Sequence, residues 1–179
     1  MILKPIDGAG SLDVRRVDSV AQLTLKEIST TMRLEHFRPG TPVSVAVICG
    51  RHGVSLLPPC LQKLSTPGDF AYLGGECPID LALAQRASRL AKLAMQALPR
   101  SIGYVGIDLV LGEDPTGSED VVIEVNPRLT TSYVGLRRLV EQNLAAAMLQ
   151  MAQGQAIELS LRPGRVEFSA DGTVHQFAE

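Results

Sequence analysis

Tryptophan is absent from this chain of 179 residues, and aromatic residues make up only 4% of it. No stacking platform for single-stranded nucleic acid is therefore present. An excess of positive charge is missing too. Lys and Arg number 17 against 19 Asp and Glu, for a formal charge of -2, and the basic residues are scattered, which leaves no electrostatic footprint for nucleic acid. No segment approaches the roughly 18 consecutive apolar residues of a membrane span. The opening Met1-Ile2-Leu3-Lys4 carries neither an extended apolar run nor a cleavage signature. Cysteine is scarce: Cys49, Cys60 and Cys77 are odd in number and lack metal-ligand spacing, so they read as reduced, buried thiols rather than a disulfide framework or a zinc site. The expectation is a cytoplasmic protein with neither nucleic acid nor membrane as partner.

What is present is a 45% hydrophobic chain, long enough for one substantial core. Residues 1–5 read as a strand running into the turn Asp7-Gly8-Ala9-Gly10-Ser11, with a second short strand over 13–17. Asp18 or Ser19 can cap a helix to about Ile28. Strands are expected over 31–37 and 43–49, divided by Arg38-Pro39-Gly40-Thr41-Pro42. The stretch 54–64 is strand-like but interrupted by Pro58 and Pro59, and 66–78, with Gly68, Gly74 and Gly75, reads as an irregular loop. Asp80 opens a helix to about Leu98, ended by Pro99, with Leu83, Ala87, Leu90 and Ala94 on one buried stripe. Helical segments over 132–153 and a terminal hairpin, 165–169 with 173–177 around Asp171-Gly172, complete the reading.

The chemistry concentrates in a hairpin of two strands, 103–111 and 120–126, joined through Asp114, Pro115, Thr116 and Gly117. Side chains alternate across a sheet, so Ile107, Leu109 and Leu111 point one way and Gly106 and Asp108 the other. On the second strand Val121, Ile123 and Val125 oppose Glu124 and Asn126. A turn near Thr116 puts Asp108 roughly opposite Glu124, and two carboxylates facing across a ladder repel. Something positive belongs between them. An all-oxygen donor set suits Mg²⁺ or Mn²⁺ rather than zinc, with waters and nucleotide phosphates completing the coordination. The same residues would also serve as the ordinary polar face of an antiparallel sheet.

Lys4 ends its strand just before Gly8-x-Gly10-Ser11, placing an ammonium beside a turn whose backbone N–H groups can approach polyphosphate oxygens. A strand-end lysine facing water beside a common glycine turn is the plain alternative. Asp13 stands where a dinucleotide-binding fingerprint needs its third glycine, so that fingerprint fails. His36, His52 and His175 need no catalytic role and read as solvent-facing or capping residues.

In this order, Lys4-Pro5 with Gly8-x-Gly10-Ser11, Glu35-His36-Phe37-Arg38-Pro39-Gly40, Asp108, and Ile123-Glu124-Val125-Asn126-Pro127-Arg128, the chain resembles the ATP-grasp superfamily. The carboxylate–amine ligases are its nearest likeness. Gly-Tyr-Val-Gly-Ile-Asp together with Asn-Pro-Arg-Leu-Thr-Thr-Ser is similar to the subgroup that includes tyramine–glutamate ligases. The resemblance implies an α+β fold, a partial ATP-grasp fold of mostly antiparallel sheet with packed helices. Residues 1–37 would be the remainder of the small lid subdomain, 38–153 the metal- and nucleotide-binding subdomain, and 154–179 a C-terminal hairpin.

It further implies that Lys4 binds ATP phosphates under a loop carrying Gly8, Gly10 and Ser11, while Glu35, His36 and Phe37 line the adenine. Asp108, Glu124 and Asn126 match metal positions for Mg²⁺ or Mn²⁺, and Arg128 matches an arginine that contacts phosphate or acyl-phosphate oxygens. Small-molecule carboxylate and amine substrates are the implied partners.

Two departures stand out. Thr41-Pro42 occupies the place of a ribose-binding acidic residue, and Gly106 that of an arginine, whose phosphate contact Lys63 would have to supply. The family's preceding α/β domain and the first lid lysine have no counterpart here. The expectation is either that Met1 is an internal start or that a separate chain supplies them, and a nucleotide-binding module without catalytic activity is the competing function.

Overall fold

The structure, a computed structural model, describes residues 1–7, 13–19, 21, 23, 31–65 and 70–177. The chain forms two compact units, one of Met1–Arg38 with Lys63–Leu73 and one of Pro39–Gln62 with Gly74–Glu179. The first contains a three-stranded sheet in the order β2-β1-β3. Here β1 (Ile2–Pro5) pairs antiparallel with both β2 (Arg15–Arg16) and β3 (Met32–Glu35). The expected helix from 18 to 28 falls largely outside the described residues.

The second unit is organised by β4 (Thr41–Cys49) and β8 (Gly103–Leu111), which pair antiparallel along their whole length, from Thr41 opposite Leu111 to Cys49 opposite Gly103. Both are rich in β-branched residues, which pack well on a pleated surface. Around them run β5 (Val54–Leu56), β6 (Cys60–Leu64), β7 (Tyr72–Cys77), β9 (Val121–Asn126), β10 (Arg165–Ser169) and β11 (Val174–Phe177). The sheet order is β11-β10-β7-β6-β4-β8-β9, with β5 on β4.

One face of this sheet is the core. Val43, Val45 and Val47 of β4 and Val105, Ile107, Leu109 and Leu111 of β8 close on Ala87 and Ala91 of α1 (Leu81–Ala97). Leu83, Leu90 and Ala94 pack against its margin, so the expected stripe does face the core, with Ala87 at its centre and Ala91, which the stripe did not include, buried beside it. Burying each large aliphatic side chain contributes about 1.5–3 kcal/mol. Asp80 caps the helix, its Oδ1 accepting from the backbone N–H of Ala82 at 2.9 Å and of Leu83 at 3.2 Å.

One expectation is corrected: the segment read as a loop contains β7, whose Gly74 and Gly75 mark close approach rather than a turn. A Cβ on Gly74 would lie 2.0 Å from the Phe168 carbonyl oxygen, and one on Gly75 would lie 2.7 Å from the Phe168 ring. The helical segments expected over 132–153 are present as two helices, α2 (Ser132–Leu139) and α3 (Leu144–Ala152), with Asn143 capping the second. Finally, β10 pairs with β7 as well as with β11, which ties the terminal hairpin into the main sheet. Cys49, Cys60 and Cys77 are free and buried.

Candidate functional site

Asp108 sits between the buried Ile107 and Leu109 but turns to the face opposite the core. Its neighbour across the ladder is Glu124, and Asn126 lies opposite Gly106. Between Asp108 and Leu109 the register shifts, because Leu109 pairs with Val122 and Ile123 is left over as a bulge. Expected to point with Val121 and Val125, Ile123 is instead 41% exposed. A bulge beside a site re-aims side chains. Here it separates the Glu124–Asn126 tip from the regular ladder below.

Both oxygens of the Asp108 carboxylate accept hydrogen bonds from amides. Gln62 Nε2 donates to Oδ1 at 2.8 Å and Asn126 Nδ2 to Oδ2 at 3.1 Å. Arg128 Nη2 in turn donates to Asn126 Oδ1 at 3.1 Å, and the backbone N–H of Arg128 reaches the Asn126 carbonyl oxygen at 2.8 Å. Four side chains thus form one chain. Burial and the Glu124 charge push the Asp108 carboxyl up to about 6, against the opposing pull of Gln62, Arg128 and Asn126. Negative charge is concentrated on this face, and the Arg128 guanidinium offsets it only in part.

The hairpin under the site is held by a buried ion pair. Arg86 of α1 binds Asp120 through Nη2 and, at 3.1 Å, through Nε, and donates to the Gly112 carbonyl oxygen at 2.7 Å. Asp120 Oδ1 also accepts from the Gly112 N–H at 3.0 Å. The turn above is closed by Asp114, whose carboxylate accepts from Ser118 Oγ and from the backbone and hydroxyl of Thr116, which pull its carboxyl down to about 2.

Gly106 is explained by its surroundings. A Cβ there would lie 2.4 Å from Thr130 Cγ2, so the Thr130 methyl already fills the space that a side chain at position 106 would enter. Thr130 belongs to a hydroxyl cluster that sequence reasoning missed. Its Oγ1 lies 3.0 Å from Ser132 Oγ and 3.4 Å from the Tyr104 hydroxyl, and Tyr104 meets Tyr133 edge-on at 6.0 Å. Burial pushes the Tyr104 phenol up.

In the first unit Lys4 Nζ lies 2.8 Å from Glu35 Oε2, so two of the expected nucleotide residues are ion-paired. Burial raises the Glu35 carboxyl, but the hydrogen bonds and charges of Lys4 and Arg33 outweigh it and leave it below its ordinary value. Phe37 lies under the Arg16 guanidinium at 4.7 Å from the ring centroid and 6.0 Å from the Phe70 ring. His36 is exposed, as are His52 and His175. Lys63 lies on β6 directly after Gln62, and Gly8, Gly10 and Ser11 lie outside the described residues.

The residues of the second unit fit a hard divalent cation. Two carboxylates and an amide oxygen gather on one sheet face, no sulfur or imidazole joins them among the described residues, and a carboxyl raised by burial and by its neighbour's charge is relieved by a cation. Gln62 is the site residue that the sequence did not disclose. It is brought in by the pairing of β6 with β4, for which no local motif exists.

A family model described as an ATP-grasp domain matches residues 1–132. Tyramine–L-glutamate ligase of Methanocaldococcus jannaschii is 27% identical over 131 residues, covering 72% of this chain and 39% of that protein. The enzyme of the same name from Methanocaldococcus fervens is 26% identical over 168 residues, covering 94% and 49%. The chain therefore spans less than half the length of these curated relatives. Among solved structures, carboxyaminoimidazole ribonucleotide synthase of Aspergillus clavatus, complexed with ATP, superposes with a TM-score of 0.71 at 19% identity over 93% of this chain and 44% of that one. With well over half of its length matched by the family model, and with an α+β, mostly antiparallel architecture to agree, the chain belongs to the ATP-grasp family.

Proposed function

We propose that this chain carries the nucleotide and Mg²⁺ end of an ATP-dependent carboxylate–amine ligase that works in the cytoplasm on small molecules. The observation that carries the reading is the facing pair Asp108 and Glu124, with Asn126 and Arg128 bonded into the same face. A carboxylate cannot be attacked directly by an amine because its leaving group is oxide. Phosphoryl transfer remedies this: a carboxylate oxygen bonds the γ-phosphorus, ADP departs, and the amine nitrogen then displaces phosphate from the acyl carbon with loss of a proton.

Such chemistry asks the protein for position and charge rather than for a nucleophile. Mg²⁺, held by Asp108, Glu124 and Asn126, would supply charge neutralisation at the phosphate oxygens. Arg128, exposed at the end of its hydrogen-bond chain, is available to phosphate or acyl-phosphate oxygens. Lys4, with Gly8, Gly10 and Ser11, would hold the ATP phosphates, and Glu35, His36 and Phe37 would line the adenine. Lys63 would take the phosphate contact that Gly106 cannot make.

Calorimetry with ADP and Mg²⁺ tests the reading on the wild-type chain and on the double variant Asp108→Ala, Glu124→Ala. Mg²⁺-dependent binding is expected for the first and lost in the second, and at ~100 times the dissociation constant the wild type gains about 2.7 kcal/mol of stability. Equal titration curves for the two proteins would sink the metal site. Release of ADP with candidate carboxylates and amines then separates a ligase from a silent nucleotide-binding module.

A further inference from the structure

Gln62 donates to Asp108 from outside the hairpin. Ser44 of β4 stands opposite Asp108 on one side and opposite Cys60 on the other; Gln62, two residues on from Cys60 and so on the same face, reaches diagonally over β4 to put Nε2 2.8 Å from Asp108 Oδ1. The strand it crosses carries a small, buried residue at that point. A carboxylate facing Glu124 would otherwise rotate away from it, since like charges opposite each other on a ladder repel. Bonds to both oxygens, from Gln62 on one and Asn126 on the other, fix the plane of the group.

The chemical type of the donor matters as much as its position. A lysine or arginine at position 62 would pair with Asp108 and cancel the charge that a divalent cation needs, whereas an amide orients the carboxylate and leaves its charge intact. We infer that Gln62 is a positioning residue for the divalent-cation site, a neutral donor that holds Asp108 in a metal-ready orientation from across the sheet. This rests on the metal reading of Asp108 and Glu124 and adds to it a residue on a third strand.

Electron paramagnetic resonance of free Mn²⁺ titrated with the whole 179-residue chain tests the inference with the metal alone. Gln62→Met keeps the length of the side chain and removes the donor; Mn²⁺ binding is expected to weaken about 10–100-fold, the usual effect of losing an outer partner of a metal ligand. Unfolding should remain a single cooperative transition, as for the wild type, which shows that the variant is folded. Gln62→Lys should weaken binding at least as much, because its ammonium competes for Asp108. Wild-type Mn²⁺ affinity in either variant overturns the role of Gln62. The underlying site fails separately, if Asp108→Asn binds Mn²⁺ as the wild type does.

Discussion

At the scale of single residues, Asp108 carries a cost as well as a role. Its carboxyl titrates near 6 in the folded chain, pushed up by burial and by Glu124, against an ordinary value of about 3.9 when unfolded. The folded state therefore holds a proton more tightly than the unfolded chain, and stability falls as pH rises from about 4 to about 6, then levels off. Without metal, Asp108→Asn is expected to raise stability by up to about 3 kcal/mol above pH 6 and to have no effect near pH 3. Denaturant unfolding of both proteins at pH 4, 6 and 8 checks this; a gain that did not grow with pH would contradict it. Asp108, Glu124 and Asn126 were legible because strand alternation alone puts them on one face. Gln62 was not, since its bond to Asp108 spans 46 positions of sequence.

At the scale of elements, the break between α2 and α3 is managed by an arginine with no motif around it. Arg162 Nη1 donates to the carbonyl oxygens of Arg138, at 3.1 Å, and Val140, and Nη2 to that of Glu141 at 3.0 Å. These are the acceptors a helix leaves over at its C-terminus. Losing the guanidinium donors in Arg162→Ala is expected to cost about 1–2 kcal/mol, measured by chemical denaturation, with the Mg²⁺-dependent nucleotide titration unchanged. The helices and central strands could be read from periodicity, and Asp80 and Pro99 bounded α1 correctly within a residue or two. Two features resisted. β7 hid behind Gly74 and Gly75, which punctuate a sequence like turn residues but here admit Phe168 against the backbone. The Ile123 bulge leaves no mark in the six residues of β9, which offer apolar side chains to either register.

At the scale of the whole molecule, the second unit is built around two strands buried along most of their length. Val43 to Cys49 are all buried, as are Tyr104 to Ile107, Leu109 and Leu111. Their amides should open only on global unfolding, while β11, mostly exposed, should exchange from local fluctuations. Hydrogen exchange read by mass spectrometry is expected to give the slowest peptides over 43–49 and 104–111 and much faster ones over 174–177; equal rates would mean that β11 opens only together with the central strands and would overturn the prediction.

Asp108 gains a further meaning from its place on β8. Its two chain neighbours, Ile107 and Leu109, are among the most deeply buried side chains of the protein, and all three hang from the same few ångströms of backbone. The strand is a partition with a hydrophobic room on one side and an ionic one on the other. Neither side can be redecorated alone: a volume change at Ile107 or Leu109 moves the carboxylate behind it, and a site that must hold oxygens to within about 0.5 Å therefore polices the packing of a core it never touches.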